Sequence, residues 1–172
     1  MKWIYTKVSD NSARFTLGIE GKKQMLCFGI NPSTAAPNNL DNTVKSVERI
    51  ANRHKFDGWI MLNIYPQRAT YPDDLHVEFD KKLHQENMDS IEKLVKSRGG
   101  KIKILAAWGT LITKREYLKN CLRDIHLLLE KYKCEWVCIG KKSKDGHPHH
   151  PLYLKNSERV RPFNMKRYIK SL

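Results

Sequence analysis

Acidic residues are scarce in this sequence. Its 172 residues include 18 Asp and Glu against 32 Lys and Arg, which gives a formal net charge of +14. An enzyme that acts on a neutral metabolite does not need so large a basic excess. The commonest physical reason for one is a polyanionic partner, most often nucleic acid. The alternative is a basic surface that serves solubility alone.

Several other features are missing. The cysteines Cys27, Cys121, Cys134 and Cys138 form no CxxC pair, so we expect buried, reduced thiols. No apolar run approaches the length of a transmembrane helix, and residues 1–5 do not begin the sustained apolar segment of a signal peptide. We therefore expect a soluble, cytoplasmic protein.

The sequence also lacks a Walker A or GxGxxG motif, so nucleoside triphosphate and dinucleotide sites would be without their usual phosphate-binding loops. It contains no internal repeat and no linker. Its length is sufficient for one domain with a substantial core, and residues 1–172 are predicted to form a single domain.

The central feature is an apolar run over residues 25–30, which is typical of a buried strand. Gly29, Asn31 and Pro32 interrupt regular structure at its end, and a helical pattern begins near Asp41. In α/β proteins the loop that follows such a strand lies at the carboxyl edge of the sheet, where ligands bind.

Strand-like and helix-like segments alternate along the chain. Strands are predicted over residues 2–8, 13–20, 25–30, 59–64, 102–108 and 135–139, and helices over residues 42–55, 79–97, 111–131 and 162–170. The residues predicted to face inward from the first helix are Val44, Val47, Ile50 and Ala51, with Asn42 or Asp41 as its cap. Those predicted for the second helix are Leu83, Ile91, Leu94 and Val95, and Gly99 and Gly100 are predicted to end it. The alternation indicates an α/β fold, a three-layer α/β/α sandwich with a mostly parallel central sheet.

Three predicted loops follow buried strands, over residues 31–39, 63–72 and 141–154. Because the carboxyl ends of parallel strands meet at one edge, their side chains can converge there. The candidate site residues in and beside these loops are Asn31, Ser33, Thr34, Asp41, Asn63, Arg68, Thr70, His147, His149 and His150.

Four short motifs are similar, in order and wording, to those of the uracil-DNA glycosylase superfamily. They are Gly29-Ile30-Asn31-Pro32, Met61-Leu62-Asn63, Trp108-Gly109 and His150-Pro151-Leu152-Tyr153-Leu154. The first has the wording of the mismatch-specific branch. The whole chain also resembles an uncharacterised bacterial and phage family marked by Asn-Pro-Ser-Thr-Ala, Arg-Ala-Thr, Ala-Trp-Gly and His-Pro-Leu-Tyr-Leu.

The resemblance implies a glycosylase fold and the excision of a base that has been rotated out of the DNA stack. Asn31 would position the attacking water, Asn63 would hydrogen-bond the base edge, and His150 would donate to a base oxygen as negative charge develops. His147 and His149 remain alternatives to His150. Turn roles remain the alternative for Asn31 and Asn63.

Further base contacts are expected from Ile30, Ser33, Asp41, Arg68 and Thr70. In the strict uracil enzymes, a tyrosine follows the Asn/Asp-Pro step and resembles a wall beside pyrimidine C5, whereas this chain has Ser33. The smaller side chain leaves room for a bulky 5-substituent, such as that of a hypermodified phage cytosine. Arg68, Thr70 and Asp41 could hydrogen-bond a polar substituent.

Contacts to the DNA itself are expected from the third loop. Its basic residues are Lys141, Lys142 and Lys144, which suit phosphates. Leu152, Tyr153 and Leu154 are apolar in an otherwise polar loop, so they suit a wedge that fills the gap left by a flipped base. Packing back onto the core is the alternative for each of the three.

Two other functions stay open. A cluster of Asp145, His147, His149 and His150 resembles the ligands of a metal-dependent nuclease, although the spacing matches no recognised zinc motif. A non-catalytic nucleic-acid-binding module on the same fold is the second alternative, because fold does not fix function. For the glycosylase we expect DNA as partner, no cofactor, no metal, no membrane and a monomer.

Overall fold

The structure is a computed structural model, and it describes residues 2–99, 101–155 and 157–172. The strands within these ranges are β1 (Trp3–Lys7), β2 (Arg14–Ile19), β3 (Gln24–Gly29), β4 (Gly58–Asn63), β5 (Ile102–Ala106), β6 (Cys134–Ile139) and β7 (Val160–Pro162). The α-helices are α1 (Asn42–Arg53), α2 (Lys81–Lys96), α3 (Glu116–Leu129) and α4 (Met165–Ser171). The chain therefore has the mixed α/β character that the alternation predicted.

The strands form one sheet in the order β1-β2-β4-β3-β5-β6-β7. The central strands β4, β3, β5 and β6 run parallel, as expected. Both edges are antiparallel, through the β1–β2 hairpin and through β7. The description of the sheet as mostly parallel therefore holds only for its centre.

Two apolar cores pack against the strands. The predicted inner face of α1 is confirmed, since Val44, Val47, Ile50 and Ala51 are all buried and share one core with Cys27. Side chains of α2, α3 and α4 share the other core with Leu26 and Phe28 of β3. Because successive residues of a strand point to opposite faces, the two cores lie on opposite sides of β3.

The inner face of α2 is more polar than predicted. His84, Asn87, Ile91 and Val95 are its buried residues, whereas the predicted Leu83 and Leu94 are only partly buried. The helix ends at Lys96, and Ser97 donates its hydroxyl to the carbonyl of Leu94. It thus ends before Gly99; the predicted stop at Gly100 lies outside the described residues.

Two predicted helices are divided differently. The segment 111–131 is not one helix, because a 3₁₀ turn over Gly109–Thr113 is separated from α3 by Arg115, whose backbone is extended. The segment 162–170 begins as the end of β7 and becomes helical only at Met165. No helix in the described ranges is both long and apolar enough to cross a membrane.

The connections place a switch in strand order beside β3. The chain passes from β3 through α1 to its neighbour β4 on one side, whereas β5, on the other side of β3, continues through α3 to β6. Open α/β sheets bind ligands outside the carboxyl ends of the strands at such a switch, which here are the ends of β3 and β5.

Candidate functional site at the carboxyl edge of the sheet

The loops that follow β3 and β4 are bonded to each other, as the parallel topology predicted. The amide of Ala69 donates to the carbonyl of Pro32 at 2.9 Å. The hydroxyl oxygens of Ser33 and Thr70 lie 3.1 Å apart, within hydrogen-bond distance. Residues from both loops therefore form one surface at the end of the sheet.

Asn31 connects the two loops through its amide nitrogen. Nδ2 donates to the carbonyl of Pro32 at 2.9 Å and to the carbonyl of Ala69 at 2.8 Å, which uses both of its hydrogens. These partners are acceptors only, so they fix which end of the amide is nitrogen. Oδ1 of this half-buried side chain accepts no hydrogen bond from any residue in the described ranges.

Asn63 occupies the last position of β4, directly across from Gly29 of β3. Its side chain is fully buried, yet neither Nδ2 nor Oδ1 has a hydrogen-bond partner among the described residues. Oδ1 lies beside Gly29, where an added Cβ would be 3.5 Å away. A buried polar group without a partner costs about 1–3 kcal/mol, so Asn63 holds an unused donor and an unused acceptor at a cost to stability.

His147 belongs to the fold rather than to a base-binding surface. Trp108 Nε1 donates to Tyr168 Oη at 3.0 Å, and that hydroxyl lies 2.7 Å from His147 Nδ1. Oη accepts from Trp108, and the donor of its bond to His147 Nδ1 is set by the His147 tautomer. Burial lowers the pKa of His147. The chain of contacts ties the third loop to β5 and α4, so His147 is a poor alternative to His150.

His150 lies close to Gly109, which follows β5 at the carboxyl edge of the sheet. Gly109 has a φ of 65°, and a Cβ added to it would be 3.4 Å from the Cβ of His150. His150 Nδ1 accepts from the amide of Leu152 at 3.4 Å, so the neutral ring carries its proton on Nε2. Burial lowers the pKa of His150, although the charge of Asp41 opposes this shift. His150 therefore presents a neutral N–H donor.

Asp41 caps α1, as predicted for either Asp41 or Asn42. Its Oδ1 accepts from the amide of Val44 at 2.9 Å. The charge of the same carboxylate opposes the lowering of the pKa that burial causes at both His150 and Arg14. The beginning of α1 thus lies beside the other site residues, with the carboxylate of Asp41 engaged by the helix.

Two predicted contacts need correction. The side chain of Ile30 is 5% exposed and packs in the core with α2 and α3, so only its main chain can face a base. Leu154 is 7% exposed and packs in the core with α1, so its predicted role as a wedge is wrong. Leu152 and Tyr153 remain exposed, at 45% and 79%.

The predicted DNA-contacting lysines, Lys141, Lys142 and Lys144, are all exposed. The ammonium of Lys142 lies 5.9 Å from the centroid of the Phe163 ring. The three lysines follow β6, on the same edge of the sheet as His150, and they give that edge a basic surface.

Arg68 stabilises the loop after β3 by hydrogen bonds to its main chain. Its guanidinium donates to the carbonyl of Ser33, to Tyr5 Oη at 2.9 Å and to the carbonyl of Ala35 at 3.2 Å. It also lines an open pocket of about 420 Å³ with Asn11, Ser33, Thr34, Ala69, Thr70 and Asp74. One pocket therefore contains three of the predicted base-binding residues, Ser33, Arg68 and Thr70. Asn31 lies two residues before Ser33 in the chain.

Arg14 was missed by sequence reasoning. It begins β2, is 1% exposed, and donates from Nη1 to the carbonyl of Ala35 at 3.1 Å. Burial, reinforced by the charge of Arg68, lowers the pKa of Arg14 to about 10. In the sequence it stands in an ordinary alternating strand, so nothing marks it as the buried member of a pair.

The described residues contain no group of three or more His, Cys, Asp or Glu side chains placed to hold a metal ion. Asp145, His147, His149 and His150 therefore do not form the ligand cluster that their spacing suggested. His147 faces Tyr168, whereas His150 lies beside Gly109.

The fold and the site define an α/β protein whose polar side chains gather at the carboxyl edge of a parallel sheet centre. Residues 14–152 match the family described as protein of unknown function, DUF1643, and the chain belongs to this family. The comparisons with curated proteins and with solved structures gave no match.

Proposed function

We propose that this protein is a monofunctional DNA glycosylase, a three-layer α/β/α sandwich of the uracil-DNA glycosylase type. It would flip a modified or mismatched pyrimidine out of DNA and excise it, leaving an abasic site. The observation that carries the proposal is the buried amide of Asn63, which has no partner among the described residues and lies at the end of β4.

Asn63 is fully buried, so the loops at the end of β4 must move before a flipped pyrimidine can satisfy that amide. Enzymes that act on flipped bases read them by hydrogen bonds to the base edge, and a carboxamide can donate and accept at once. Pyrimidine edges combine a carbonyl oxygen with a neighbouring ring or exocyclic nitrogen. The bound base would thus supply the two hydrogen-bond partners that the Asn63 side chain lacks.

Asn31 and His150 suit the chemical step. The bond between the sugar carbon and the base nitrogen breaks with its electron pair moving to the base, and the Nε2–H of His150 stabilises the resulting anion. The sugar acquires oxocarbenium character. A water held by the free Oδ1 of Asn31 adds its oxygen to that carbon, and the water's proton passes to solvent. An amide cannot act as a strong base, so the sugar cation must develop before attack.

The pocket beside Asn31 suits a base with a bulky 5-substituent. Ser33 is small, and the pocket of about 420 Å³ offers the hydroxyls of Ser33 and Thr70 with the guanidinium of Arg68. The two hydroxyls could bind the polar substituent of a hypermodified cytosine. Leu152 and Tyr153 would fill the gap in the duplex, and the lysines of the third loop would contact phosphates.

The substitution Asn31→Ala tests the proposal, with Asn39→Ala as the matched control because Asn39 is an exposed asparagine of the same loop. We expect Asn31→Ala to reduce base release by about 100-fold or more, while DNA binding stays close to that of the original protein. Asn39→Ala should retain both. A non-catalytic binding module would bind DNA but release no base in any of the three proteins.

A further inference from the structure

Two guanidinium groups meet beneath the loop that follows β3. Arg14 and Arg68 both donate to the carbonyl oxygen of Ala35, at 3.1 Å and 3.2 Å. Like charges that share a single neutral acceptor repel each other. The fold therefore keeps two cations together at a place where one of them, Arg14, is 1% exposed.

No carboxylate balances this pair. Among the described residues, neither arginine has an acidic oxygen within 4.0 Å. Asp41 is the acidic residue whose charge reaches Arg14, and its Oδ1 is engaged at the start of α1. Nε of Arg14 and Nε of Arg68 are both buried without a hydrogen-bond partner among those residues. Buried charges are normally paired, so the missing partner is an anion.

Arg68 connects the pair to solvent. It lines the open pocket together with Asn11, Ser33 and Thr70. The guanidinium of Arg68 keeps a second Nη1 hydrogen that its bonds to protein acceptors do not use, and a charged N–H donor suits a phosphate oxygen. Asp74, the acidic residue of this pocket, is exposed, and its Oδ2 accepts from the amide of Tyr71 at 3.4 Å.

We propose that Arg68, with the charge of buried Arg14 behind it, binds a phosphate group in this pocket. The group is the DNA phosphodiester next to the flipped nucleotide. This assignment rests on the proposed glycosylase function. It differs from the contacts of the exposed lysines, because half-buried Arg68, backed by buried Arg14, would hold the phosphate at a fixed position near the loop that carries Asn31 and so fix the sugar.

The first test is thermal unfolding of the full chain in millimolar inorganic phosphate and in chloride of equal ionic strength. We expect phosphate to raise Tm by about 2–4 °C, and Arg68→Gln to remove the rise. The control is Arg98→Gln, since Arg98 is half-buried and bonded to Gln24 near the opposite edge of the sheet. It should keep the rise.

Each rise is measured against the same variant in chloride. If Arg68 serves only to hold the carbonyls of Ser33 and Ala35, its replacement lowers Tm in both salts and leaves the rise intact. That result, or no rise in the original protein, overturns the proposal.

The second test separates the two sources of phosphate. The salt dependence of binding is measured for a short DNA oligonucleotide, with a deoxynucleoside monophosphate in parallel. For the phosphodiester, Arg68→Gln should reduce the slope of log K against log[salt] by about 1. An unchanged slope, with loss of monophosphate binding alone, overturns the assignment to DNA. Neither test needs base release, so failure of the proposed catalysis is a separate result.

Discussion

Asn63 and Asn87 are both fully buried, but they use their amides differently. Asn87 donates from Nδ2 to the carbonyl of Asn63 at 3.0 Å, whereas neither end of the Asn63 amide is bonded within the described residues. We predict that Asn63→Leu raises the free energy of unfolding by about 1 kcal/mol, because an apolar side chain of similar size removes two unsatisfied groups. It should also abolish base release.

Urea unfolding measures this gain, and Asn87→Leu is the control. Asn87→Leu leaves a buried carbonyl without its donor while it removes the unpaired Oδ1 of Asn87, so this variant should show no gain in the free energy of unfolding. Equal destabilisation by both substitutions would mean that the Asn63 side chain stabilises the folded protein and is not kept for binding.

Tyr168 illustrates what single-residue reasoning missed. We predict that Tyr168→Phe lowers the free energy of unfolding by about 1–3 kcal/mol, because Trp108 and His147 each lose their partner in a buried site. Chemical denaturation measures the loss. Tyr153→Phe, at a 79% exposed tyrosine, should change little. A loss no larger than that of the control would remove the anchoring role of Tyr168.

At the scale of elements, the residue that caps α1, Asp41, contributes both to the stability of the helix and to the electrostatics of the site. We predict that Asp41→Ala destabilises the protein by about 1 kcal/mol, whereas Asp41→Asn keeps most of the cap. Asp41→Asn should nevertheless lower the pKa of His150, because the charge that opposes the effect of burial is removed. NMR titration of the His150 ring measures this shift.

The control for the charge effect is Asp80→Asn, since Asp80 caps α2 in the same way, through the amide of Leu83. It should leave the His150 titration unchanged. Equal His150 titrations in Asp41→Asn and the original protein would contradict the coupling.

The elements that the sequence predicted well are those with strong periodicity. Each residue predicted for the inner face of α1 is buried. The contact between the first two loops followed from the parallel topology. The third loop was harder, because the burial of His147 depends on a contact with α4, 21 residues away. Leu154 was mistaken for a wedge since its packing partner, α1, is remote in sequence. The burial of Arg14 likewise required the loop around Ala35.

At the scale of the whole molecule, burial should make stability depend on pH. His54, His126, His147 and His150 all have a pKa lowered by burial from the ordinary value of 6.5. Below that pH the unfolded chain binds more protons than the folded one, so stability falls as pH decreases from about 6.5. Urea midpoints between pH 7.5 and pH 5 measure this fall. A midpoint that stays constant or rises toward pH 5 would contradict it.

The central claim is that the carboxyl edge of this sheet excises a base. The most direct measurement incubates the protein with DNA containing uracil, a thymine mismatch or glucosylated hydroxymethylcytosine, and counts abasic sites in each. We predict abasic sites on at least one of these DNAs, most rapidly where the 5-substituent is bulky, and none with Asn31→Ala. DNA that is bound by the protein but carries no abasic sites on any substrate would contradict it.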